Sequence, residues 1–124
     1  MLLQYILVAL GGATGALGRF GVSRLVAHFA PAHSWPTATF AVNLIGSTLI
    51  GILYVVITEK SSLHADSRQI LMVGFLGAFT TFATFSLETV AMLEAGKALL
   101  ALSYILITLA SCILGCWLGI QLAR

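Results

Sequence analysis

The sequence predicts an all-α integral membrane protein built from four transmembrane helices. Composition is the first observation behind this. Of the 124 residues, 60% are hydrophobic and 8% are charged, with a mean hydropathy of +1.06, which is too apolar for a water-soluble domain of this length. Charge spacing is the second. The few acids and bases leave four long uncharged stretches, Leu2–Gly18, Thr37–Thr58, Gln69–Leu87 and Ala98–Ala123. Each meets the ~17 residues that form the short end of the range able to cross a ~30 Å hydrocarbon core. The third is that no connecting segment is long enough for a second domain, so residues 1–124 read as one transmembrane unit.

The first stretch has no Lys or Arg ahead of its apolar run. It therefore lacks the basic region of a cleavable signal peptide and is expected to be kept as a span. Gly11 and Gly15 in it are one helical turn apart, as are Ser47 and Gly51 in the second stretch. Ser111, Gly115 and Gly119 extend the same spacing in the fourth. Small residues at this spacing let backbones approach closely, so a tight bundle is expected. A phosphate-binding loop is the wrong reading of the glycines, because no strand precedes them.

Loop one, Pro31-Ala-His-Ser-Trp-Pro36, is short and bracketed by prolines, with Trp35 suited to headgroup level. Loop two, Glu59–Asp66, is the most polar segment, and loop three is a turn around Glu94-Ala-Gly-Lys97. His28, His33 and His64 fall at helix ends or in loops, where solvated surface is the expected role. Cys112 and Cys116 lie four apart on one helix, a poor geometry for a disulfide, and are expected to pack. No nucleophile, base and orienter set supports an enzyme. The net charge of +2 is too small to imply a nucleic-acid partner.

A polar path through the bilayer must be walled by protein, and four helices enclose little. An oligomer is the expected working unit. The Lys/Arg balance that sets orientation is nearly tied. Lys60, Arg68 and Arg124 lie on the side of both termini, against Arg24 and Lys97, plus Arg19 if it is counted with that helix end, which is three against two or three. The tie favours dual topology, two copies inserted oppositely about an in-plane two-fold axis, over one orientation fixed by a partner.

Polar residues inside the apolar stretches carry the functional expectations. Asn43 lies well inside the second stretch, where an amide is costly unless paired. It serves either an interhelical hydrogen bond or a polar pathway. Within the third span, the segment Gly74–Glu88 mixes glycines, threonines and four phenylalanines, a poor recipe for a continuous helix. A break near Gly77–Thr81 would free backbone carbonyls at membrane depth, the place where transporters hold ions. Beyond it, Phe82, Phe85 and Glu88 share a helix face. Phenyl edges favour an anion weakly, and Thr hydroxyls supply donors. Packing alone also explains those rings.

The residues Gly11-Gly-Ala-Thr-Gly-Ala-Leu-Gly-Arg19-Phe20, Asn43-Leu-Ile-Gly-Ser47 and Gly74–Phe85, with its Thr80-Thr81-Phe82-Ala83-Thr84-Phe85, together resemble the three motifs of the Fluc (CrcB-type) fluoride channels, in order and over nearly the whole chain. The resemblance implies an antiparallel dual-topology homodimer with the third helix broken near its middle, two fluoride pores and a structural Na+ at the dimer interface. It further implies a fluoride pore of Asn43, Phe82, Phe85, Thr84, Tyr104 and Thr108. Arg19 is implied at a vestibule, Glu88 beside the pore, and the backbone carbonyls of Gly77 and Thr80 as sodium ligands. Ala83 stands where the third motif usually has Ser, and Ala38 where the second usually has Gly.

The expected activity is passive export of fluoride from the cytoplasm through the bacterial inner membrane, with the lipid bilayer and a second copy as partners. A small multidrug exporter is one rival, but it needs a carboxylate in the first helix, and residues 2–29 contain none. A non-transporting assembly subunit is the other.

Overall fold

A computed structural model describes residues 1–29, 35–60 and 65–124. Helix α1 spans Leu2–Phe29, α2 Thr37–Tyr54, α3 Ala65–Arg68, α4 Gly77–Phe79, α5 Phe82–Glu94 and α6 Ala98–Ala123, with no strand among the described residues. Wide π-helical turns extend α2 over Val55–Glu59 and join α3 to α4 over Gln69–Leu76. Four segments are long and apolar enough to span a bilayer: Leu2–Phe29, Thr37–Glu59, Asp66–Glu94 and Ala98–Ala123. His33 and His64, with residues 31–34 of loop one and 61–64 of loop two, lie outside the described residues.

The first helix is longer than its uncharged stretch, running on through Arg19 and Arg24 to Phe29. A long charged side chain is compatible with a span when its head finds a partner or reaches the interface. Arg19 Nε donates to Ala78 O at 3.0 Å, and the Arg24 guanidinium lies 5.8 Å from the Phe20 ring centroid.

Glycines set which helices touch. A Cβ on Gly11 would strike Ile70 O, and one on Gly15 would strike Phe75 O. Helix α1 is therefore seated backbone to backbone on the π-helical stretch Gln69–Leu76. In the same way a Cβ on Gly51 would meet Cys116 O, and one on Gly119 would meet Thr48 O. That clamps α2 against α6, as the small-residue spacing predicts. Arg124 makes a two-pronged ion pair with Glu59 at 2.7 and 3.0 Å, which puts the C-terminus at the same end as the close of the second span.

Two apolar clusters fill the bundle. Val42, Leu76 and Phe79 pack with Val22, Leu53 and Phe75, and the Phe75 and Phe79 rings stack at 5.7 Å. Phe85, Met92, Ala101 and Tyr104 pack with Trp35, Phe40, Leu100 and Ile105. Trp35 therefore does more than mark headgroup level. It meets Phe40 and Tyr104 edge-on, at 5.1 and 5.2 Å between centroids. The turn after α5 closes through Gly96, at φ +77°, with Lys97 N–H donating to Met92 O at 2.9 Å. Glycine adopts that left-handed conformation without a Cβ clash.

Candidate functional site

The site is built at the point where the third span leaves helical geometry. Thr80 (φ −89°, ψ 159°) and Thr81 (φ −152°, ψ 115°) are extended, while Gly77 is helical. Thr81 N–H, which in a continuous helix would bond Gly77 O, donates instead to Asn43 Oδ1 at 2.7 Å. Asn43 Nδ2 donates in return to Thr81 O at 3.0 Å. The paired bonds fix the amide's orientation, since only Oδ1 can accept and only Nδ2 can donate. They use one of the two Nδ2 protons and leave the other to donate elsewhere.

Thr81 then caps α5: its Oγ1 accepts from Thr84 N–H at 3.1 Å and donates to Thr84 Oγ1 at 3.1 Å. Thr84 N–H would otherwise have bonded Thr80 O. The carbonyls of Gly77 and Thr80 thus lose their ordinary helical partners together. Ala78 O between them is taken by Arg19. Space for the turn comes from Gly46, one helical turn from Asn43, where a Cβ would strike the Thr80 methyl.

Around this point lies a cleft of about 340 Å³ walled by α2, the third span and α6. Asn43, Thr80, Thr81, Phe82, Phe85 and Thr108 line it, as do Ser47 and Cys112. The Phe82 and Phe85 rings are 5.4 Å apart and inclined at 46°, and Phe85 is 4.9 Å from the Tyr104 ring. Phe85 is buried, whereas Phe82 is 71% exposed in a single chain.

Glu88 and Tyr104 form a neighbouring polar group. Tyr104 OH donates to Glu88 Oε1 at 3.0 Å, and Thr39 Oγ1 donates to Oε2 at 2.9 Å. The two hydroxyls satisfy the carboxylate without a cation, which is how an acid is held inside a bundle. Thr108, one turn along α6, is 4% exposed, and its Oγ1 is the single buried side-chain oxygen or nitrogen without a hydrogen-bond partner among the described residues.

The structure accordingly brings Asn43, Phe82, Phe85, Thr108, Gly77 and Thr80 to one cleft. Thr84 sits behind it, holding the Thr81 cap. Arg19 is placed against the interruption, on Ala78 O, rather than at a helix end. Glu88 and Tyr104 lie beside Phe85. Residues 6–120 match the family described as CrcB-like protein, Camphor Resistance (CrcB). The chain belongs to the CrcB family.

Its relatives carry the name fluoride-specific ion channel FluC. The protein of Saccharophagus degradans is 47% identical over 104 residues, covering 84% of this chain and 77% of that one. That of Coxiella burnetii is 39% identical over 123 residues, 98% of each chain. That of Hahella chejuensis is 43% identical over 119 residues, covering 96% and 93%. With four such spans, this CrcB-family chain is a multi-pass membrane protein.

Sequence reasoning missed Thr39, Gly46, Ser47, Thr81 and Cys112 as parts of the site. Two signals could have found most of them. Thr39, Asn43 and Ser47 form an i, i+4 stripe on α2, and Tyr104, Thr108 and Cys112 form another on α6. Thr81 had no such signal, because its roles depend on the extended backbone.

Proposed function

We propose that this chain forms a passive, fluoride-selective channel that lets the anion leave the cytoplasm of a bacterial cell through its inner membrane. The observation that carries the reading is similarity along nearly the whole chain to fluoride-specific channels of several bacteria. Hydrogen fluoride crosses a bilayer neutral and dissociates at cytoplasmic pH, so a downhill exit for the anion protects the cell.

The cleft supplies what a small, strongly hydrated anion requires on losing water. The second Asn43 Nδ2 proton and the Thr108 hydroxyl are donors, and the Phe82 and Phe85 rings present positive edges. A narrow path of this kind replaces fluoride's hydration and excludes larger anions. The interruption at Thr80–Thr81 is the discontinuous helix at membrane depth on which the ion site is built.

A single chain leaves the cleft open and Phe82 exposed. In the proposed assembly a second copy, inverted, closes it in an antiparallel, dual-topology homodimer. The Gly77 and Thr80 carbonyls fit a structural sodium ion there. They are neutral oxygen donors released from helical bonding in adjacent turns, and hard oxygen ligands suit a hard cation. When bound, sodium would neutralise their dipoles and pin the interruption. Asn43 holds that backbone from α2, Thr81 caps α5 behind it, and Arg19 occupies the intervening Ala78 carbonyl.

The test is fluoride and chloride efflux from liposomes holding the purified protein, read with ion-selective electrodes beside Phe82→Ile. Fast fluoride efflux without chloride efflux is expected, lost in a variant that still purifies as the native oligomer. Absence of fluoride flux from folded protein would discard the reading in favour of an exporter or an assembly subunit.

A further inference from the structure

Cys112 has no part in the mechanism above, yet it borders the same cleft. It stands one helical turn past Thr108 and two past Tyr104, on the wall facing Ser47. The thiol is free and half-buried. The Thr108 hydroxyl beside it is more than nine-tenths buried and unpartnered. An orphaned donor in a cleft at membrane depth points to a polar ligand that reaches this level. A solute that reaches Thr108 is within one turn of the sulfur. Cys116, one turn further, borders a different hollow with Tyr54 and Arg124.

Sulfur brings a chemistry that the oxygen donors of the path lack. It is a weak hydrogen-bond donor but a soft, strong ligand for thiophilic metals. Resting on the fluoride-channel reading, we infer that Cys112 is a blocking site on the ion path, where an organomercury chloride bonds Sγ through its mercury and stops fluoride passage. In that step the S–H bond breaks and its proton goes to water. A Hg–S bond forms, and chloride leaves the mercury with its electron pair. Mercury is not oxidised or reduced. The bulk then sits between Ser47 and Thr108, where a path narrow enough to strip a fluoride ion has no room to pass it.

The test uses the full chain in liposomes treated with methylmercury chloride, with fluoride efflux and intact mass measured on the same sample. Flux should fall by about tenfold or more in the native protein and in Cys116→Ser, as expected of a blocked narrow pore. Cys112→Ser should keep the same flux with and without the reagent. Three results would overturn the proposal: flux unchanged although mass shows the adduct on Cys112, no adduct on Cys112 while the protein conducts, or equal inhibition of Cys112→Ser. Untreated protein without flux would instead fail the channel reading itself, and this proposal with it.

Discussion

The Asn43 side chain does the work of a helical turn. Its amide supplies the acceptor that the Thr81 N–H loses by leaving helical geometry, at 2.7 Å, and donates to the Thr81 carbonyl at 3.0 Å. Asn43→Ala strands the Thr81 peptide N–H inside the bilayer, so it should lower stability by about 1–3 kcal/mol. Unfolding of the detergent-solubilised protein, followed by helicity, would show it. Wild-type stability in that variant would mean that Thr81 finds other partners. Thr81 has a second role, capping α5 through Oγ1. Thr81→Val should cost about 1 kcal/mol, while Thr81→Ser keeps the cap. Equal stability of those two variants would remove the cap from the account. Sequence reasoning left Asn43 with two uses, and the described bonds establish the first while leaving one proton for the second. Nothing short of atomic positions separates those uses, because spacing places a residue on a face without naming the atom opposite.

At the scale of elements, helix contact is set by missing side chains. Gly15 lies against Phe75 O, whereas a Cβ on Gly21, less than two turns away, would meet nothing within 4 Å. Gly15→Ala should therefore destabilise the bundle by about 1–3 kcal/mol through overpacking. Gly21→Ala should leave stability unchanged or raise it by up to ~1 kcal/mol, because alanine is the better helix former. The same unfolding measurement compares them, and equal effects would show that the α1 seat is loose. The small-residue spacing was legible beforehand. Its partners were not: α1 sits on a π-helical stretch whose wide turns no periodicity announces. The interruption in the third span was expected near Gly77–Thr81 from composition. Its non-helical residues are Thr80 and Thr81, with glycine-77 kept helical, because the Gly46 gap and the Asn43 amide both sit opposite the threonines.

For the whole molecule, Arg19 is committed to Ala78 O at the interruption and leaves the count of orienting charges at three against two. Lys60, Arg68 and Arg124 then stand against Arg24 and Lys97. A reporter fused to the C-terminus should show activity on both sides of the membrane, and activity on one side alone would rule out dual topology. The exposed Glu59–Arg124 pair is screened by solvent and adds little to stability. The proposed sodium ion has its own test: replacing all Na+ by a bulky organic cation should lower both fluoride flux and thermal stability. Flux and stability that ignore the exchange would remove sodium from the assembly.

Four spans, their helical character and the near absence of orienting charge were determined by the sequence alone. The bilayer makes these one-dimensional properties: a run of apolar residues long enough to cross must be helical, because its backbone has no water to bond. The tertiary structure decided which polar atom meets which. It put Asn43 on Thr81, Arg19 on Ala78, Tyr104 and Thr39 on Glu88, and left Thr108 facing the cleft. Those pairings turn on separations of about 3 Å between residues far apart in the chain. Such separations depend on where glycines let helices close together, and no reading along a single helix contains that information.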